Sequence, residues 1–222
     1  MTLSRQLPLD IKLRPDATFA NYIGEAGRRL QAMHGVVFLW GEPGSGRSHL
    51  LQAACHEANH SGNTSIYLTE LAGHAPALIE RLESFDLVCI DDIDALAGVE
   101  EWETALFHLI NSVRDAGKTL ILSAASRANT LGVRLPDLKS RLIAAGQVVT
   151  DHLTDDEKLM VLRERARREG FAIPDEVCRF ILSRSSRDMS SLLALMDKLE
   201  VETLRQQKKV TIPFVKQVLG MS

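Results

Sequence analysis

The sequence predicts an α/β protein: a five-stranded parallel sheet flanked by helices, followed by a small all-helical C-terminal domain. Three observations predict it. Short apolar runs alternate with helix-spaced segments as far as about residue 150. A glycine-rich turn, Gly41-Glu42-Pro43-Gly44-Ser45-Gly46-Arg47-Ser48, joins the first of those runs to a helix. Beyond Asp151 only helical patterns remain.

Residues 1–16 carry Pro8 and Pro15 with apolar residues alternating between them, which reads as an extended arm. Residues 22–33 read as a first helix. Val36–Trp40 is continuously apolar, as a strand buried on both faces requires. A helix is expected from Arg47 to His60, a strand at Ser65–Leu68, and then a helix ending near Glu83. Leu87–Ile90 reads as the third strand and runs into Asp91 and Asp92. Trp102 to Arg114 has helical spacing, Thr119–Leu122 is the fourth strand and Gln147–Val149 the fifth. A nucleotide-binding base domain is thus expected over 17–151 and a helical lid over 152–222. In the lid, Thr154 and Glu157 have capping-box spacing, and Gly170 stops the helix they open. Pro174 opens a second helix, and 188–206 form a third with Leu192, Leu195, Met196 and Leu199 on one stripe. Pro213 lies in the first turn of a short last helix.

Composition narrows the function classes. The 222 residues are 45% hydrophobic and 25% charged, with net charge −3, so nothing draws the whole chain to DNA or an anionic membrane. DNA contact is expected to be indirect or weak. Cys55, Cys89 and Cys178 are odd in number and scattered, which argues against a disulfide framework and for a reducing cytoplasm. No signal-peptide core and no membrane-length apolar run is expected. His56-Glu57-Ala58-Asn59-His60 matches a zinc-protease signature, but it is the tail of the helix leaving the glycine-rich turn. The expected reading is two surface histidines near a helix C-terminus.

The turn fits the phosphate-loop template except that Arg47 stands where lysine is expected. Glycines let backbone N–H groups turn toward phosphate oxygens, and the helix N-terminus adds positive charge. Ser48 would reach Mg²⁺ through its hydroxyl, and the strand-end acids Asp91 and Asp92 would orient metal and water. Arginine keeps the charge but is forked and bulkier, so nucleotide binding is expected and efficient hydrolysis is not. An AAA+ arrangement places further sites at Leu122–Ser126 and at two arginines. Arg141 ends a short polar helix, from which it can enter a neighbouring subunit's nucleotide; otherwise it is a surface salt-bridge residue. Arg187 precedes the long lid helix and can fold back on a phosphate. The arm Gln6-Leu7-Pro8-Leu9-Asp10-Ile11 has the amphipathic, extended character that docks into an apolar groove.

Over essentially its whole length the chain resembles the Hda-type, DnaA-related AAA+ regulators that inactivate the bacterial replication initiator DnaA. The motifs are the arm at 6–11, Asp16-Ala17-Thr18-Phe19-Ala20, Gly46-Arg47-Ser48-His49-Leu50, Cys89-Ile90-Asp91-Asp92-Ile93-Asp94, Leu135-Pro136-Asp137-Leu138 with Ser140-Arg141-Leu142, and Thr211-Ile212-Pro213-Phe214-Val215-Lys216. The resemblance implies that the loop residues through His49 hold ADP, with Ser48 and Asp91 on any Mg²⁺. It implies that the arm binds the DNA polymerase sliding clamp (β subunit), which associates the protein with the nucleoid. Arg141 would be an arginine finger presented to ATP on DnaA, Arg187 a lid sensor, and the protein an activator with little turnover of its own. Two departures stand out: Ala125 where relatives often carry an acid, and an expected end after the lid where DnaA continues into a DNA-binding domain. Alternatives are an autonomous AAA+ ATPase such as a helicase loader, or a clamp-tethered adaptor with a vestigial pocket. Self-association into a homo-oligomer is left open.

Overall fold

A computed structural model describes residues 13–150, 153–184 and 189–220. The chain divides into two compact units, residues 1–42 with 46–151, which carry the sheet, and residues 43–45 with 152–222, whose regular structure is helical among the described residues.

The first unit contains α1 (Glu25–Gln31), β1 (Val36–Trp40), α2 (Arg47–His60), β2 (Ser65–Leu68), β3 (Leu87–Ile90), α3 (Glu100–Asp115), β4 (Thr119–Ala124), α4 (Pro136–Ala144) and β5 (Gly146–Val149). The strands form one sheet in the order β2-β3-β4-β1-β5, every pair parallel. Trp40 pairs with Ala124 and Val149, and β3 is in register with Leu68 and Leu122 at Ile90. The carboxyl ends therefore finish together, and β4 stands between the strand that feeds the glycine-rich turn and the strand that feeds the acids. Loops beyond the carboxyl ends of such a sheet are where α/β proteins bind ligands.

Alternation along β1 explains the two helical layers. Phe38 joins Val88, Ile90, Leu120 and Leu122 against α3 and α4, with Leu106, Ile110, Leu138 and Leu142. Val37 and Leu39 face the other way, with Cys89 and Ile121, and pack on Leu30 of α1 and on Leu50, Leu51 and Cys55 of α2. Both faces being covered is what makes β1 apolar at every position. The three cysteines are free thiols, all buried.

The segment before Glu83 is a correction. It contains no α-helix, only 3-10 turns at Pro76–Ile79 and Leu82–Ser84. Left-handed backbone at Glu70, Gly73 and Arg81, with Pro76 between them, interrupts any regular helix. The apolar spacing has another origin: Ile79 and Leu82 sit buried in the cluster that α3 completes. Smaller differences are that α1 starts only after Gly24, β4 reaches Ala124, and α4 runs three residues past Arg141.

The second unit consists of α5 (Asp155–Arg168), α6 (Asp175–Arg184), α7 (Met189–Gln206) and α8 (Ile212–Val218). Leu192, Leu195, Met196 and Leu199 of α7 are buried with Leu162, Ile181, Phe214 and Val215. Both halves of the capping box form: Glu157 N donates to Thr154 Oγ1 at 3.2 Å, and Thr154 N donates to Glu157 Oε2 at 2.7 Å. Gly170 takes positive φ just beyond α5. The arginines of α5 are matched by acids, with Arg167 and Arg168 on Glu164, Arg163 on Asp175 and Arg165 on Asp197. The Arg167 hydrogen bonds hold the Glu164 carboxyl at about 2. Among the described residues no helix is long and apolar enough to cross a membrane.

Candidate nucleotide site

Past β1 the chain turns through Gly44 and Gly46, both at positive φ, and enters α2. Gly46 is the N-cap of α2, and no side chain caps this end. The helix therefore presents its positive end at the turn. A Cβ on Gly46 would lie 2.8 Å from Tyr22 Cε2, and the same ring closes on Gly24 and Gly27. Glycine at 46 thus leaves room for the Tyr22 ring to pack against the turn. His49 Nε2 lies 2.8 Å from Thr18 O, and its ring is tilted against Tyr22. His49 thereby fastens the segment before α1 to α2.

Arg47, the first residue of α2, is only 8% exposed. Its Nη1 is 2.8 Å from Asp92 Oδ1 and 3.9 Å from Asp94 Oδ2. The N–H bonds of Nη1 miss the carboxylate, so the contact is Coulombic and this buried nitrogen has no formed hydrogen bond. Asp92 adopts φ 52, a left-handed conformation that turns it out of the strand line. Partial burial, then the neighbouring Asp91, raises its pKa, and Arg47 opposes them.

Asp91 points elsewhere. It is 2% exposed, accepts from Tyr67 Oη at Oδ2 over 2.7 Å, and accepts from Ser123 Oγ at Oδ1. Ser123 Oγ in turn accepts from Asp92 N at 3.0 Å. Asp94 accepts from Ala125 N at 2.7 Å. Ala125 is thus engaged through its backbone. Tyr67 carries no sequence signal; Ser123 falls in the Leu122–Ser126 stretch and Asp94 in the Cys89–Asp94 motif, but neither contact is readable from sequence.

A further unforeseen residue is Glu103 of α3, which is 2% exposed. It accepts from Gly98 N at 2.6 Å, Arg134 N at 3.0 Å and Leu135 N at 2.7 Å. Burial works against its charge, but these three donors outweigh it and hold its pKa below the usual carboxylate range. Leu135 is the N-cap of α4, so Glu103 fixes the start of the helix that carries Arg141. Arg141 is partly exposed, and its side chain makes no ion pair or hydrogen bond with the described residues. Arg127 lies over the Trp40 ring at 4.7 Å. His56 Nε2 lies 2.9 Å from Arg14 O, and no three metal-ligating side chains converge among the described residues, so the zinc signature has no site there. Arg187 and the arm residues Gln6, Leu7, Pro8, Leu9, Asp10 and Ile11 lie outside the described residues.

Residues 20–149 match the family of the bacterial DnaA ATPase domain. The chain belongs to that family. Residues 155–219 match the lid domain of Hda, which makes this an Hda-like, DnaA-related AAA+ protein. An uncharacterized protein of Haemophilus influenzae is 37% identical, covering 99% of this chain and 100% of its own. Domain III of Thermotoga maritima DnaA superposes with TM-score 0.80 at 23% identity, over 94% of this chain and 98% of that one. Aquifex aeolicus DnaA with AMPPCP bound has TM-score 0.67 at 24% identity, over 88% and 70%. The Thermotoga maritima RuvB branch-migration motor has TM-score 0.70 at 18% identity, over 94% and 72%. At these identities the likeness establishes the AAA+ fold.

The residues present suit a phosphate group in two ways: an uncapped helix N-terminus and a buried guanidinium nitrogen without a formed hydrogen bond. They fit a metal poorly. Both oxygens of Asp91 are occupied by protein donors, and Asp92 is occupied by a cation.

Proposed function

We propose that this DnaA-related protein is a negative regulator of replication initiation. It holds ADP at Gly41–His49 and presents Arg141 in trans to ATP bound on DnaA. Hydrolysis of that ATP then prevents re-initiation. The arm at 6–11 keeps it on the sliding clamp, and through the clamp on the nucleoid, in the cytoplasm. Arg187 completes the nucleotide site from the lid.

The observation that carries this reading is the contrast between two arginines. Arg47 is buried and engaged with Asp92, whereas Arg141 is partly exposed and unengaged on a helix whose start is pinned by Glu103. A chain whose strand-end acid is neutralised by its own loop arginine is poorly set to activate water. A chain with an unspent arginine on a fixed platform is well set to stabilise charge in another subunit's site.

The test is hydrolysis of radiolabelled ATP on DnaA, with clamp loaded on DNA and this protein added. Arg141→Ala is expected to reduce the stimulation at least about a hundredfold while leaving the fold intact, since such arginines contribute about 10³–10⁵ in rate. Stimulation unchanged by Arg141→Ala refutes the assignment.

A further inference from the structure

Between the glycine-rich turn and β3, where a divalent cation would balance phosphate charge, the strongest charge is the chain's own Arg47. We infer that the site takes a nucleoside diphosphate without a metal ion, the Arg47 guanidinium bridging Asp92 and the phosphates. The inference rests on the nucleotide-site reading above and deepens it.

Three observations lead there. First, Asp91, the acid at the end of β3, has both oxygens committed, to Tyr67 of β2 and Ser123 of β4. Each oxygen keeps a lone pair, but the carboxylate is 2% exposed, so Mg²⁺ with its near-ideal octahedral shell has little room to reach it directly. Second, the neighbouring acid Asp92 already has a cation at 2.8 Å, with Asp94 at 3.9 Å from the same nitrogen. A divalent ion on Asp92 would stand against a buried guanidinium already in contact with that acid. Third, Arg47 Nη1 is buried yet has no formed hydrogen bond, although Asp92 lies beside it. An arginine in that state retains donor capacity for a second anion.

The chemistry of the substitution is consistent with this. A lysine at this position is a point charge on a flexible stem; it reaches a phosphate and leaves the strand-end acids to a metal. Guanidinium is planar, with five donors in a fixed fork, and can meet a carboxylate on one edge and a phosphate on the other. Arg47 is the first residue of α2, next to Gly46 and the uncapped helix end, where a polyanion is favoured. The single change from lysine to arginine therefore accounts for both the fit to phosphate and the misfit to metal.

The experiment is calorimetric titration of ADP into the full chain, once in EDTA and once in excess Mg²⁺. Wild-type affinity is expected to agree within about twofold between the two buffers. Arg47→Lys is expected to lose about tenfold or more in EDTA and to recover with Mg²⁺, because removing the fork releases Asp92 to a metal. Circular dichroism melts check that the variant is folded. A wild-type loss of tenfold or more in EDTA overturns metal-free binding, as does an Arg47→Lys variant indifferent to Mg²⁺. Absence of ADP binding by the folded wild type in both buffers is a different failure: it removes the nucleotide-site reading itself.

Discussion

At the scale of single residues, the most telling side chains are acids whose partners lie far away in sequence. Glu103 binds backbone donors on two loops, one five residues away and one about thirty. Glu103→Ala should cost about 2–4 kcal/mol in a urea melt, since it removes the acceptor of several part-buried N–H groups and leaves a gap at a buried position. Its pKa is depressed in the folded chain, so its contribution is complete above the unfolded carboxylate range and fades as pH falls through the lower folded value. The stability gap between wild type and Glu103→Gln should accordingly be flat from pH 8 to about 5 and narrow below that; a gap that widens on acidification contradicts the sign. Gly46→Ala brings a Cβ to 2.8 Å from Tyr22 at φ 90. It should lower stability by about 1–3 kcal/mol and weaken ADP binding about tenfold or more, read by thermal shift and titration.

Sequence reasoning reached these residues unevenly. Arg47 was legible because the turn template fixes its position, and Asp91 and Asp92 because they end an apolar strand. Their pairing was not, because whether Asp91 or Asp92 meets the arginine depends on one left-handed residue and on a serine contributed by β4. Glu103 carries no local signal at all: it reads as one more charge in the first turn of a helix rich in acids.

At the scale of elements, strands were read with little error because burial on both faces leaves an unbroken apolar run. The stretch before Glu83 misled because packing on α3 imposes a helix-like spacing of Ile79 and Leu82 on a backbone that turns three times through left-handed residues. Periodicity reports which side chains are buried, not which hydrogen bonds the backbone makes. The Thr154–Glu157 box, by contrast, is a local device and was legible as such. Thr154→Ala should destabilise the helical unit by about 1 kcal/mol, with faster amide exchange confined to the first turn of α5. Unchanged protection there would deny the cap its role.

At the scale of the whole molecule, the alternation of strands and helices and the change to helices alone specify a parallel α/β sheet followed by a helical domain; the AAA+ expectation rests on the glycine-rich turn and the family resemblance. Strand order was not readable, since β1 sits between β4 and β5 by long connections that no local pattern encodes. The same scale holds the proposal for the arm. Replacing Gln6, Leu7 and Leu9 together with alanine should abolish capture by immobilised sliding clamp while leaving the melting temperature unchanged; capture retained by the triple variant removes the clamp from the account.

Tyr67, Asp91 and Ser123 come from three adjacent strands, and each reaches the next through a side chain rather than the ladder. They stitch the hem of the sheet. A slip of one strand by a single residue would swing its polar group to the opposite face and pull out the thread. The loops that spring from that hem start from a common fixed line, so displacement of any one of them by a ligand must be absorbed beyond the stitches, in the loop itself, rather than by fraying of the strands beneath.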